Sequence, residues 1–154
     1  MTLVNRDLFV SDPTARKIPN DGVARVSHPH TEQEWDVLRW ELSSFVCEGQ
    51  YELGLERILD SFLTNLNQAQ QPAVWVSGFY GSGKSHLVRV LEYLWLDRPL
   101  PDGESPRGLV RDLSSSISDH LAELTSAGRR AGGLWSAAGT LAAGANDAVR
   151  LAFL

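Results

Sequence analysis

The run Gly78-Phe79-Tyr80-Gly81-Ser82-Gly83-Lys84-Ser85 constrains this chain more than any other stretch. It satisfies the phosphate-loop pattern G-x-x-x-x-G-K-[ST] at every position. Glycines at 81 and 83 let the backbone bend and approach an anion closely, so that successive N–H groups turn inward as a nest. A lysine after the last glycine reaches the outer phosphates, and the hydroxyl that follows it ligates Mg²⁺. On this reading Gly78, Gly81, Ser82, Gly83, Lys84 and Ser85 are the nucleotide-binding residues, with Ser85 as metal ligand.

The flanks give the motif the context it requires. Val74-Trp75-Val76-Ser77 is β-branched and aromatic and reads as a buried parallel strand. After the loop, Leu87, Val90, Leu91 and Leu94 recur at helical spacing. Strand, glycine loop and helix follow in the order of a P-loop NTPase, and the helix N-terminus adds partial positive charge where phosphate sits. The plainer alternative is a Gly/Ser-rich turn that binds nothing.

Upstream, residues 1–30 lack a clear period and read as an extended N-terminal segment, with a short strand expected at Val23–Val26. His28 and His30 have no Cys or acid beside them, so a loop explains them better than a metal site. Thr31 with Glu34 forms a capping-box pattern that opens a helix running to Gly49, with Trp35, Leu38, Leu42, Phe45 and Val46 on one face. A second helix from about Tyr51 to Leu66 carries Leu55, Ile58, Leu59, Phe62, Leu63 and Leu66. Its Glu52, Glu56, Arg57 and Asp60 read as a solvated face. This makes 31–72 a helical lead and 73–154 a partial nucleotide-binding domain. The fold class expected is α/β, with a P-loop core that is incomplete and preceded by a helical segment. Such a lead resembles ATPases of the AAA+/STAND type more than metabolite kinases, which begin with the loop strand itself.

Downstream, 97–106 reads as a surface loop and Arg107–Ala127 as a third helix, ended by the Gly128–Gly133 stretch. Arg129 and Arg130 read as a solvated helix end with favourable dipole pairing rather than phosphate sensors. Leu134–Leu141 is expected to be a tightly packed strand, and Asn146-Asp147 to cap a last helix from Ala148. Hydrolysis in such folds needs an apolar strand ending in an acid that holds Mg²⁺ through water. No such strand follows residue 86. The expectation is therefore the N-terminal part of a longer protein, or the product of a truncated gene.

Composition narrows the class. The chain has 154 residues and a net charge of −5, so no global basic field points to nucleic acid. Cys47 is the only cysteine, which excludes an intramolecular disulfide and fits a reducing cytoplasm. Charged residues near the N-terminus interrupt any signal-peptide pattern, and no window is apolar over a membrane-spanning length.

The segment Leu55–Leu63 leading into Pro72–Leu87 resembles the start of the large P-loop ATPases of bacterial phage-exclusion (BREX) and phage-growth-limitation systems, the BrxC/PglY type. Arg6–Asp12 and Gly132–Leu141 are similar to segments of the same family, and Ser77, Phe79-Tyr80 and His86 narrow the likeness. The resemblance implies binding of ATP with Mg²⁺ through Gly78, Gly81, Gly83, Lys84 and Ser85. It also implies work beside a DNA methyltransferase and an alkaline-phosphatase-like protein in defence against phage. Family members exceed a thousand residues, so this chain corresponds to their beginning. Two other readings stay open: a non-catalytic interaction module with a vestigial loop, and a small-molecule kinase.

Overall fold

A computed structural model describes residues 4–9, 14 and 27–139. Among them stand a 3₁₀ turn at Asn5–Leu8 and five α-helices: α1 (Glu32–Ser43), α2 (Gln50–Thr64), α3 (Lys84–Leu96), α4 (Pro106–Leu109) and α5 (Ser115–Arg130). The expected strand at Val23–Val26 and the helix from Ala148 lie outside the described residues, as does the end of the expected strand at Leu134–Leu141.

The capping box opens α1. The Thr31 hydroxyl accepts from the Glu34 N–H at 3.3 Å, and the Glu34 carboxylate accepts from the N–H groups of His30 and Thr31 at 2.8 and 3.1 Å. These backbone bonds, led by that of His30, hold the Glu34 carboxyl below its ordinary range. The helix stops at Ser43, six residues short of the Gly49 at which the sequence places its end. From there Phe45 and Cys47 turn inward while Val46 and Glu48 face solvent, the period of two that a non-helical, strand-like chain gives.

Four helices share one core. Leu38 and Leu42 of α1, Leu55 and Leu59 of α2, Val90 and Leu94 of α3, and Ile117, Leu121 and Leu124 of α5 are almost wholly removed from water. Each such side chain contributes about 1.5–3 kcal/mol of transfer free energy. α2 lies along α5, and Phe62 of α2 meets Trp95 of α3 edge-on with ring centroids 4.5 Å apart. The helical lead and the helix after the loop are therefore parts of a single packed body.

The sequence reads one helix over 107–127, whereas the chain forms two. Pro106 starts the short α4 after Ser105, whose hydroxyl accepts from the Gly108 N–H. Asp112 then takes the left-handed conformation, and Ser114 caps α5 by accepting from the Ile117 N–H at 3.3 Å. Serines at 114–116 favour a cap over a helix interior, because their hydroxyls compete for backbone bonds. Arg107 ties the pieces together: its guanidinium donates to the Leu94 carbonyl at 2.7 Å and to the Thr125 hydroxyl at 2.8 Å, closing the C-terminus of α3. Burial lowers its proton affinity, an effect that nearby Asp97 opposes.

α5 ends where Gly132, with φ +93°, lets the Gly133 N–H return to the Gly128 carbonyl at 2.8 Å. Leu134 then folds over Gly128, where an added Cβ would come within 2.5 Å of the leucine Cγ. Residues 133–139 form no strand. The segment 71–79, expected to supply the strand before the loop, carries no regular secondary structure. Val76 packs against the core while Trp75 is 90% exposed.

Candidate phosphate loop

The loop spans residues 78–85 between that segment and α3. Phe79 and Ser82 close a turn, the Ser82 N–H donating to the Phe79 carbonyl at 3.2 Å. Gly81 and Gly83 have φ of +79° and +76°, conformations that cost an L side chain about 1–2 kcal/mol. Gly83 is the N-cap of α3 and Lys84 its first residue, so the loop runs directly into the helix start. There the unpaired N–H groups and the helix dipole favour an anion.

Two glycines leave room that other residues would fill. A Cβ on Gly78 would come within 2.8 Å of the Ser82 hydroxyl, and one on Gly83 would collide with the Tyr51 hydroxyl. The Lys84 ammonium folds back over the loop. It donates to the carbonyls of Gly78 at 3.0 Å and Phe79 at 2.6 Å, with the Ser82 hydroxyl at 3.4 Å. Ser85 lies half-buried in the first turn of α3.

Residues of the helical lead hold this loop, a role the sequence reading gave to none of them. The Tyr51 hydroxyl of α2 donates to the Ser82 carbonyl. The Tyr51 ring meets Phe45 edge-on at 5.7 Å, and Phe45 meets His86 edge-on at 5.4 Å. His86 Nε2 lies 2.9 Å from the Glu41 carbonyl of α1. One turn further along α3, Arg89 pairs with Glu41, Nε to Oε2 at 3.1 Å, with only 4% and 9% of the two residues exposed. Burial raises the Glu41 carboxyl above its ordinary range, opposed by Arg89 and then His86. No local pattern in the sequence marks Tyr51, Phe45 or Glu41 for this role, because each reaches the loop only through the tertiary fold.

An open cleft of about 580 Å³ lies between α2 and the 74–79 segment and reaches Ser82, Lys84 and Leu87. Among the described residues its only charged lining groups are Arg57 and Lys84, both cationic, which suits an anionic ligand in a chain of net negative charge. Trp75 and Phe79, which line it, and Tyr80 next in the chain stand 89–90% exposed. His28 rests edge-on against Trp35, and among the described residues no His, Cys, Asp or Glu cluster could hold a metal ion. Arg129 and Arg130 form the exposed last turn of α5. No described helix is long and apolar enough to cross a membrane.

The residues of this turn suit a polyphosphate: a lysine, a helix N-terminus, two left-handed glycines and the Ser82 hydroxyl lie along it. Ser85 could offer Mg²⁺ only its one hydroxyl, so the remaining ligands of such an ion would have to come from phosphate and water. No family model matches the sequence, and no solved structure matches the chain.

Proposed function

We propose that this chain binds ATP with Mg²⁺ through residues 78–85, as the N-terminal, nucleotide-binding part of a P-loop ATPase. The observation that supports it best is the course of the loop, which turns through two left-handed glycines into the start of α3 with Lys84 folded over it. In this role Lys84 supplies charge to the outer phosphates, the N–H groups of 81–85 form the cradle, and the Ser85 hydroxyl ligates the metal. Bound nucleotide would bring a polarised terminal phosphate; the chain's own part is to bind and orient it. By its resemblance to the BREX and phage-growth-limitation ATPases, the protein acts in the cytoplasm in phage defence, beside a DNA methyltransferase and an alkaline-phosphatase-like protein.

A calorimetric titration of the chain with Mg·ATP, alongside Lys84→Ala, tests this. Saturable binding that the variant loses supports the proposal. A folded wild-type chain that takes up no nucleotide refutes it. The second reading, an interaction module whose loop no longer sees nucleotide, has one observation in its favour: the exposed aromatic run Trp75, Phe79 and Tyr80. It predicts that folded result.

A further inference from the structure

We infer that Tyr51, a residue of α2 outside the loop motif, positions the phosphate cradle by fixing the plane of the Ser82–Gly83 peptide. The inference rests on the nucleotide-binding proposal above and extends it to the helical lead.

In a trans peptide the carbonyl oxygen and the following N–H point to opposite sides, and no described peptide bond is cis. The Tyr51 hydroxyl holds the Ser82 carbonyl on its own side, so the Gly83 N–H is directed away from it. That N–H immediately precedes Lys84 and is one of the unpaired donors at the start of α3. Glycine populates positive and negative φ about equally, so a plane hinged on Gly83 has little intrinsic preference to keep it in place. An external bond to the carbonyl supplies what the glycine gives up.

Tyr51 is itself braced. Its ring lies against Phe45, Phe45 lies against His86, and His86 is tied to the Glu41 carbonyl. The lead therefore holds the chain on both sides of Lys84, the loop at the Ser82 carbonyl before it and α3 at His86 after it. Packing alone would be served equally by phenylalanine at 51. The hydroxyl adds only the bond to the loop.

Tyr51→Phe separates the two roles. Mg·ATP and tripolyphosphate are titrated into wild-type and variant chains by calorimetry, and the backbone amides of both proteins are followed by NMR. Both ligands should bind about tenfold more weakly to the variant, roughly the factor one directed hydrogen bond carries. The Gly83 amide resonance should move while those of Leu55 and Leu59 in the core of α2 stay in place. Unchanged affinity for both ligands overturns the inference and leaves the nucleotide-binding proposal standing. Weakened ATP with unchanged tripolyphosphate also overturns it, since Tyr51 would then touch the nucleoside. Absence of binding by the wild-type chain overturns both.

Discussion

Replacing Arg89 by methionine tests how firmly the helical lead is tied to the helix after the loop. Arg89 and Glu41 meet in the interior, Nε to Oε2 at 3.1 Å, each nearly out of reach of water. Taking away the cation leaves a carboxylate in the core, and breaking a buried pair in this way costs about 3–5 kcal/mol. The Nε–H is not aligned on its acceptor, which places the expectation near the lower end, about 3 kcal/mol. A domain holds only about 5–15 kcal/mol in all, so the melting temperature should fall by roughly 6–12 °C. The pH dependence has a definite sign. Burial raises the folded-state Glu41 carboxyl above its unfolded value, so the native state binds the proton more tightly and stability falls as pH rises from the unfolded value through the folded one. Loss of Arg89 removes an opposing influence and widens that window upward. The penalty should be full at neutral pH and shrink below about pH 4, where the carboxyl is protonated in both states. Urea unfolding at both pH values measures it, and the double variant Glu41→Gln, Arg89→Met should recover most of the loss. A single variant within about 1 kcal/mol of wild type at neutral pH, or equally destabilised in acid, would refute the reasoning.

Two further outcomes follow from the local geometry. Gly83→Ala should lower stability by about 2–3 kcal/mol in thermal unfolding, since alanine takes up a φ of +76° and strikes the Tyr51 hydroxyl. Glu34→Ala should lower the melting temperature at neutral pH and have no such effect in strong acid. The Glu34 carboxyl is held below its ordinary range by the backbone bonds of His30 and Thr31, so its contribution is present above the unfolded value and disappears as pH falls through the lowered one.

Local signals in the sequence carried as far as their physics is local. The start of α1 is legible because Thr31 and Glu34 sit three apart and bond to each other's backbone. The inner faces of α2, α3 and α5 are legible because Leu55 and Leu59, Val90 and Leu94, and Ile117, Leu121 and Leu124 keep helical spacing. Where period and cap compete, the period misled. Leu109 and Leu113 extend the stripe of α5 backwards, but Ser114 caps the helix and Asp112 turns the chain before it. Phe45 likewise continues the stripe of α1 although the helix has ended, because it stands three residues after Leu42, whereas Val46, four after it, faces solvent. The glycines, Lys84 and Ser85 of the candidate site are contiguous and could be read directly. Tyr51 lies 31 residues from its partner Ser82, and only packing brings them together.

The folded-back Lys84 side chain makes the loop its own competitor. The ammonium has three protons, and two main-chain carbonyls and a hydroxyl already stand around it. Any anion must outbid oxygens tethered within six residues, whose effective concentration is on the order of millimolar or more. Chloride would meet the lysine alone, whereas on the nucleotide-binding proposal a polyphosphate would reach the lysine, the amides and the serine together. If the nucleotide-binding proposal holds, such a loop would favour ligands by valency, before any contact with the base.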